Sequence, residues 1–541
     1  MKKITLAFLF VLLANTLFGQ VRYWIFFTDK PQAETKMLAP EKYLAEASLN
    51  RRANQNIAFH ESDLPVHAAY INAIQNQGIT VVQRSKWLNA VSVFATKNQI
   101  EKIKEFDFVK KVKPVMSLQK NAVEFIEQAS SEVFKTNAEP YDYGLSMNQI
   151  FMLTGQFLHN QNSRGQDIII AQLDGGYEGV DVLPAFDSLW ARGGILATYD
   201  FVDNDTNIYH GGTHGMKVLS VMAGLLPNAL IGSAPQATYV LLKSENEASE
   251  TTIEEDNWVA AAEFADSVGA SIINSSLGYT VFQDGIGNYT VDDLDGRTAT
   301  TSLAAVMAAR KGILMVNSAG NEGGGAWQTI ITPADADSIL AVGGVNATRQ
   351  HAPFSSTGPT ADGRIKPDLS AQGSGVYVAL PGGNIGPGNG TSFASPLISG
   401  LAACLWQRYP TASMMQIRQA ILESCDRYDS ADNIYGHGIP DFFIADYILS
   451  HPTVIIPEPL DDVVLFPNPF NSSLNLFMRL EIYPMMVEVT VTDERGGFIN
   501  NQTFRVFSKY TELQGFENLA SGMYFFRINY AGKEKILKML R

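Results

Sequence analysis

Cysteine is scarce in this chain: Cys404 and Cys425 are the only two among 541 residues. Two cysteines exclude a disulfide-rich scaffold and a metal site built from cysteine ligands. Both lie in apolar segments with a helical pattern, which favours two buried small side chains over one disulfide formed in an oxidising compartment.

Positive charge and long apolar runs are also limited. The net charge of −15 argues against nucleic acid or an anionic membrane surface as the main partner. Beyond the N-terminus, no segment reaches the roughly 18 apolar residues of a membrane-spanning helix. Hydrophobic residues make up 46% of the chain and charged residues 18%, which supports sizeable cores and argues against wholesale disorder.

The N-terminus has the order of a secretory signal peptide. Lys2 and Lys3 precede the apolar run ITLAFLFVLLANTLF, and the small Gly19 follows. A buried N-terminal helix is the alternative, but it does not account for the basic start and the small end together. We therefore assign residues 1–20 to a signal peptide and expect an exported protein without a stable membrane span.

The next segment alternates short apolar runs with polar helical stretches. Residues 21–120 have the order strand, helix, strand, strand, helix, strand, which predicts a small α+β domain. A looser connecting segment follows over 121–145. From 146 to 450, Val/Ile/Leu-rich strands alternate with helices, which predicts a mostly parallel sheet with helices on both faces, an α/β fold.

The C-terminal part differs from the α/β region in composition and in predicted secondary structure. Residues 451–462 are Pro-rich and acidic and form a predicted linker. Short strands joined by turns then fill 463–541, which predicts an all-β sandwich.

Three polar residues follow Gly-rich turns or apolar strands of the α/β region. Ser392 stands just before an apolar helix, where a helix N-terminus can stabilise an anion beside its hydroxyl; a plain helix cap is the alternative. Asp174 ends an apolar strand and could orient a histidine. Asn321 follows another strand and could donate to an oxyanion, a contribution of roughly 3 kcal/mol. Both could equally be turn residues.

Two of the eight histidines, His210 and His214, lie four residues apart in YHGGTHGMKVLS. A metal pair, one catalytic base or two loop residues would each fit this stretch. The metal hypothesis needs both on one helix face and a further ligand, but two glycines separate them and no HExxH occurs.

Taken in order, these motifs resemble the subtilisin-like serine proteases, whose triad runs Asp, His, Ser. GTSFASP is similar to the nucleophile motif of that family, NSAGNEGG to its oxyanion strand, and SIINSSLG to its substrate-pairing edge strand. The resemblance implies a secreted serine endopeptidase with Asp174, His214 and Ser392 as catalytic residues and Asn321 in the oxyanion hole. A catalytically silent binding scaffold is the alternative.

The resemblance also separates the two histidines. The catalytic histidine of the family begins a helix that closes on Ala-Gly ten residues later, as HGMKVLSVMAG does from His214 to Gly224. His210 is then a loop residue. Two departures stand out: Gly175 follows Asp174 where a hydroxyl is common, and Met216 and Lys217 replace the usual Thr-His.

The resemblance further implies a pocket for the side chain before the scissile bond. Small residues in its walls would admit a large apolar side chain unless a loop closes the pocket. No cofactor is required, and a structural calcium ion, known in the family, has no identifiable ligands here. The predicted wall residues are Ser276, Leu277, Gly278, Ser318, Ala319 and Gly320.

The flanking domains fit the same family. Residues 21–120, with WLNAVSVFA and FVKKVKPV, resemble its inhibitory propeptide, although an unrelated α+β domain is the alternative. LFPNPF and LASGMYFFRINYAGKEKILKM resemble the C-terminal sorting domain of type IX secretion, where a generic β-sandwich is the alternative. The expected partners are a peptide or protein substrate, the propeptide and the secretion machinery, and the expected location is the cell surface or the medium.

Overall fold

The computed structural model describes most of the chain between residues 21 and 541. The described ranges are 21–115, 141–247, 253–280, 288–450, 463–466, 468–470, 474–478, 485–506, 510–516 and 518–541. The predicted signal peptide, the connecting segment as far as residue 140 and the predicted linker lie outside the described residues.

The N-terminal domain is a four-stranded antiparallel sheet with helices packed against it. In sheet order the strands are Thr80–Ser85, Ala90–Ala95, Val21–Phe27 and Val109–Val115. Helices Ala68–Gln75 and Lys97–Ile103 supply Ile71, Ile74, Ile100 and Ile103 to its core. This order confirms the predicted α+β pattern.

Two further helices of this domain, Ala33–Lys36 and Glu46–Asn54, were not predicted. The buried residues of the second helix are Ser48, Arg51 and Arg52, all polar. A helix that buries polar side chains carries no apolar period for a sequence pattern to detect.

The central domain is built on a seven-stranded sheet whose neighbouring strands all run parallel. Alternate residues of its strands enter different cores: Ile170 and Leu241 lie on one face, and Ala171 and Leu242 on the other. The predicted α/β fold with helices on both faces is therefore confirmed. The strands in sheet order are Leu369–Gln372, Leu340–Val345, Leu314–Ser318, Ile272–Ser275, Ile169–Asp174, Thr238–Lys243 and Ile195–Asp200.

Helices cover this sheet. Two short antiparallel ribbons form separate sheets: Leu225–Leu226 with Leu230–Ile231, and Val376–Ala379 with Ile385–Gly388. The longest helix, Thr391–Arg408, is buried along most of its length. The described helices are Met147–Phe151, Gly155–Asn160, Asp187–Ala191, His214–Ala223, Ile253–Val268, Thr300–Arg310, Thr391–Arg408, Met414–Glu423 and Phe442–Ser450.

The C-terminal domain consists of two antiparallel sheets around one apolar core, as predicted. The ring of Phe477 stacks on Phe443 of the central domain with centroids 6.2 Å apart. The strands in sheet order are Val463–Phe466, Leu474–Met478 and Tyr510–Leu513, then Phe498–Val506, Met485–Asp493, Met523–Tyr530 and Lys533–Leu540.

Cys404 and Cys425 are both buried and both free thiols. Burial raises the pKa of each thiol, so neither is poised to react at neutral pH. The prediction of two small buried side chains is confirmed. Within the described ranges, every helix is too short or too polar to cross a bilayer.

Candidate active site

Asp174 and His214 meet at the carboxyl edge of the parallel sheet. Asp174 is the last residue of its strand and is fully buried, whereas the His214 side chain is 33% exposed. Nδ1 of His214 lies 2.5 Å from Oδ1 of Asp174. The carboxylate thus fixes the tautomer and the plane of the imidazole, and Nε2 occupies the opposite edge of the ring.

Gln172 takes over the support that a hydroxyl after Asp174 would give. Its Nε2 donates to Oδ2 of Asp174 at 3.2 Å, and the Gly175 N–H donates to Oδ1 at 2.8 Å. Gln172 was not predicted as a site residue. Its position two residues before Asp174 in the same strand was a usable signal, because alternate residues of a strand share a face.

A second unpredicted residue, Glu247, contacts the start of the His214 helix. Its Oε1 accepts from the backbone N–H of His214 at 3.0 Å and from that of Gly176 at 3.3 Å. A carboxylate at a helix N-terminus satisfies N–H groups that have no partner within the helix. A Cβ atom built on Gly175 or on Gly212 would collide with the Glu247 side chain, so the absence of a side chain at both positions makes room for it.

Met216 and Lys217, the two departures beside His214, have different surroundings. Met216 is fully buried in the core of the central domain and therefore does not line the cleft. Lys217, the next residue, is half-buried. The helix His214–Ala223 ends with Gly224 as its C-cap, as predicted.

Ser392 lies in the first turn of helix Thr391–Arg408, near His214. Its Oγ donates to the Ser276 carbonyl oxygen at 3.2 Å, and the ring of Phe393, the next residue, lies 6.2 Å from the His214 ring between centroids. The helix N-terminus provides backbone N–H groups beside this hydroxyl.

The Asn321 side chain is held in a fixed orientation near Ser392. Its Oδ1 accepts from the N–H of Thr391 at 2.8 Å and from its hydroxyl at 3.0 Å. With the oxygen engaged in these bonds, the amide nitrogen faces Gly390. A Cβ atom built on this glycine would lie 3.5 Å from Nδ2 of Asn321 and 3.8 Å from Cβ of Ser392. An N–H donor therefore points into the space beside the serine.

The six predicted wall residues form two adjoining segments next to Ser392. In the first segment, the hydroxyl groups of Ser276 and Ser395 share a hydrogen bond of 3.0 Å. The Ser276 hydroxyl is also placed to donate to the Ser392 carbonyl oxygen at 2.8 Å. Asn317 ties the segments together by donating to the Leu277 carbonyl at 3.1 Å. The second segment, Ser318, Ala319 and Gly320, is buried at the end of the neighbouring strand.

His210 lies apart from this arrangement, in the loop before the helix. Its Nε2 is 3.7 Å from Oδ2 of Asp200, and with Asp203 these side chains bring three ligand-type atoms within 4.8 Å of one another. The Lys243 ammonium already lies 2.8 Å from Asp200 and 3.6 Å from Asp203, so a cation of the chain itself balances these carboxylates. His214 contributes nothing to this group, since its Nδ1 faces Asp174.

The N-terminal domain docks on helix Ile253–Val268 of the central domain through buried charges. Asp266, fully buried, accepts from Arg51 at 2.5 Å and from Arg52 at 2.7 Å. Asp63 pairs with the same Arg52 at 2.7 Å and with Lys311 of the central domain at 2.7 Å. Positive and negative side chains thus alternate across this part of the interface, and a second buried pair, Arg22 with Asp256 at 2.7 Å, joins the same domain to the same helix.

Glu263 of the same helix binds the turn after strand Thr80–Ser85. Its carboxylate accepts from the Ser85 hydroxyl at 2.5 Å and from the N–H groups of Lys86 at 2.9 Å and Trp87 at 3.0 Å. Burial raises the pKa of Glu263, and Lys86 and the Ser85 hydrogen bond oppose the shift.

Comparison with known proteins gives three matching family models. Residues 187–438 match the Subtilase family, 22–131 the Peptidase S8 propeptide domain of Bacteroidota, and 464–540 the Secretion system C-terminal sorting domain. The predicted resemblances of all three regions are therefore confirmed.

Individual relatives agree with these models. Subtilisin of Bacillus pumilus is 32% identical over 308 residues, which are 56% of this chain and 97% of the relative. Subtilisin E of Bacillus subtilis (strain 168) is 29% identical over 374 residues, 68% of this chain and 83% of the relative. The crystal structure of fervidolysin from Fervidobacterium pennivorans aligns with a TM-score of 0.57 over 96% of this chain and 76% of that one; at 17% identity it supports the fold alone.

Proposed function

Because the chain belongs to the subtilase family and is a serine endopeptidase exported by type IX secretion, we propose that Ser392 is its nucleophile, His214 its general base and Asp174 the residue that orients His214. The observation that supports this assignment is the 2.5 Å contact between Asp174 and His214, whose ring lies 6.2 Å from that of Phe393, the residue after Ser392.

In the first step, His214 Nε2 takes the proton of the Ser392 hydroxyl while Oγ attacks the carbonyl carbon of the scissile bond. For this transfer the Ser392 hydroxyl, which donates to the Ser276 carbonyl at 3.2 Å, turns its proton toward Nε2 of His214. Asp174 stabilises the imidazolium that results.

The tetrahedral intermediate carries its negative charge on the former carbonyl oxygen. Nδ2 of Asn321 and the N–H of Ser392 supply hydrogen bonds to that oxygen. His214 then gives its proton to the leaving amine and the C–N bond breaks, which leaves an acyl-enzyme. A water molecule, deprotonated by His214, attacks the ester, and the peptide acid and the Ser392 hydroxyl are regenerated.

This scheme needs no metal or organic cofactor, since the side chains provide the nucleophile, the base and the oxyanion donors. We further propose that the N-terminal domain, here called the prosegment, inhibits the enzyme while docked on helix Ile253–Val268, with the buried charges at Asp266 and Glu263 supporting the contact.

Cleavage of a peptide library tests the assignment. The parent enzyme, Ser392→Ala and Ser430→Ala are compared after immobilised parent enzyme has removed the prosegment from each. Ser430 is an exposed serine of the same domain, in the short 3-10 helix Tyr428–Ser430. We expect hydrolysis by the parent and Ser430→Ala and none by Ser392→Ala; full activity of Ser392→Ala would refute the proposal.

A further inference from the structure

The pocket between the two predicted walls contains a side chain that the sequence pattern did not reveal, that of Ile331. A Cβ built on Gly278 of the first wall would overlap Cδ1 of Ile331. A Cβ built on Gly320 of the second wall would lie 3.0 Å from Cγ1 and 3.1 Å from Cδ1 of the same residue. One isoleucine therefore packs against both glycines, where small wall residues alone would leave room for a large substrate side chain.

Backbone hydrogen bonds hold Ile331 in this position. Its N–H donates to the carbonyl of Ala319, in the second wall, at 3.2 Å. Its neighbour Thr332 forms an antiparallel bridge with Tyr279, which follows the first wall, through bonds of 2.9 and 3.2 Å. Residues 331 and 332 are thus attached to both walls, and the Ile331 side chain cannot leave the pocket by a simple loop swing.

The exposure of Ile331 distinguishes it from an ordinary core residue. Ile330 and Thr332 on either side are fully buried, whereas Ile331 is half-buried. The far end of its side chain, Cγ1 and Cδ1, lies against Gly278 of the first wall and Gly320 of the second, and Ser276 of the first wall donates to the Ser392 carbonyl. The side chain is therefore within reach of a substrate residue adjacent to the scissile bond.

We propose that Ile331 is the floor of this pocket and restricts the residue before the scissile bond to small side chains such as alanine, glycine or serine. The inference rests on the proposed function, because it assumes that Ser392 is the reacting group. A branched chain of four carbons occupies the volume that an aromatic or a long aliphatic side chain would need, and overfilling a packed site is unfavourable.

Peptides that differ only in the residue before the scissile bond, alanine or phenylalanine, test this proposal. The ratio of kcat/KM for the phenylalanine peptide to that for the alanine peptide is measured for the parent, Ile331→Val, Ile331→Ala and Ile331→Gly. Ile434→Ala, an exposed isoleucine in a distant turn, is the matched control. Active-site titration with a fluorophosphonate counts the folded enzyme in each preparation.

We expect the parent and Ile434→Ala to favour alanine. The ratio should rise stepwise from Ile331→Val to Ile331→Gly and gain roughly 10- to 200-fold overall, the range for a change of pocket volume of this size. If Ile331→Gly does not fold, the Val and Ala variants still give the trend. A parent that favours phenylalanine, or a ratio unchanged in Ile331→Ala, would overturn the inference while leaving Ser392 as nucleophile. Hydrolysis of neither peptide by the parent would overturn the proposed function, and this inference with it.

Discussion

Two fully buried aspartates of the peptidase domain, Asp174 and Asp266, make contacts of equal length with partners of different chemistry. Asp174 lies 2.5 Å from the imidazole of His214, and Asp266 lies 2.5 Å from the guanidinium of Arg51. An imidazole gains and loses a proton near neutral pH, whereas a guanidinium stays charged. A buried aspartate therefore suits proton transfer beside His214, as proposed for Asp174, and fixed docking beside Arg51, as for Asp266.

The exposure of the partner completes the difference. One third of the His214 side chain is open to the cleft, while the Arg51 and Arg52 side chains are almost fully covered. A buried charge that loses its partner is strongly destabilising. Breaking any one of the ion pairs that hold the prosegment is therefore unfavourable while the other charges stay buried. The catalytic pair keeps one side available for substrate.

The largest expected effect comes from Asp174→Asn. The amide preserves shape but no longer holds Nδ1–H of His214 toward a carboxylate, so Nε2 loses its role as base, and kcat should fall by about 10⁴-fold. Steady-state kinetics on a cleaved peptide measures it. Asp187→Asn, at an exposed carboxylate, should match the parent, and a tenfold loss or less in Asp174→Asn would contradict the role given to Asp174.

Removal of the docking carboxylate is expected next in size. Asp266→Ala, in a full-length chain kept unprocessed by Ser392→Ala, leaves Arg51 and Arg52 buried without their shared partner. The free energy of opening of the prosegment should fall by about 3–5 kcal/mol. Hydrogen–deuterium exchange of the amides in strands Thr80–Ser85 and Ala90–Ala95 reports it, with Asp187→Ala as control. Unchanged protection would show that these charges do not hold the prosegment.

A pH titration extends the comparison to Glu255, on the docking helix. Burial raises the pKa of Glu255 from 4.5 to about 7, and the hydrogen bond from Tyr289 opposes the shift. Between pH 4.5 and 7 the folded protein holds a proton that the unfolded chain releases, so this group's stabilisation is complete below pH 4.5 and is lost as pH rises through 7. The loss is on the order of 3 kcal/mol.

Glu255→Gln should remove that loss. His159, buried in the peptidase core with its pKa lowered by burial to about 4, has the opposite dependence over an overlapping range, so the prediction concerns the difference between parent and variant. Urea unfolding of the unprocessed protein at pH 5 and pH 8 measures it. Parallel pH profiles for the two proteins would rule out a titrating Glu255.

The smallest expected effect concerns a fourth carboxylate, Glu247, which is exposed and accepts from the backbone N–H groups of His214 and Gly176. Glu247→Gln keeps an acceptor but removes the charge at the helix N-terminus, so kcat should fall by about two- to fivefold. The same kinetics with added salt checks the electrostatic origin, since screening should shrink the difference. A loss as large as that of Asp174→Asn would give Glu247 a more direct part in the reaction.

Asp174, Asn321 and Ser392 stood out in the sequence because each follows a strand or opens a helix whose pattern is plain in the chain. Their proposed roles, and the choice of His214 over His210, came from the resemblance to the subtilisin-like serine proteases. Glu247 and Ile331 were not predicted. Each lies in a loop outside the strands and helices that carry the predicted residues, and no helical or strand period records its contacts. Helix Glu46–Asn54 was missed for a related reason, since its buried residues are polar, and its arginines are neutralised by Asp266 of the docking helix and by Asp63 of the prosegment.

The most direct test of the central claim is mass spectrometry of the mature enzyme after reaction with a fluorophosphonate. The Asp174–His214 pair should activate one serine, so we predict a single adduct on Ser392, formed orders of magnitude more slowly in Asp174→Asn. An adduct on another residue, or labelling of Asp174→Asn at the parent rate, would contradict the assignment of this carboxylate to catalysis.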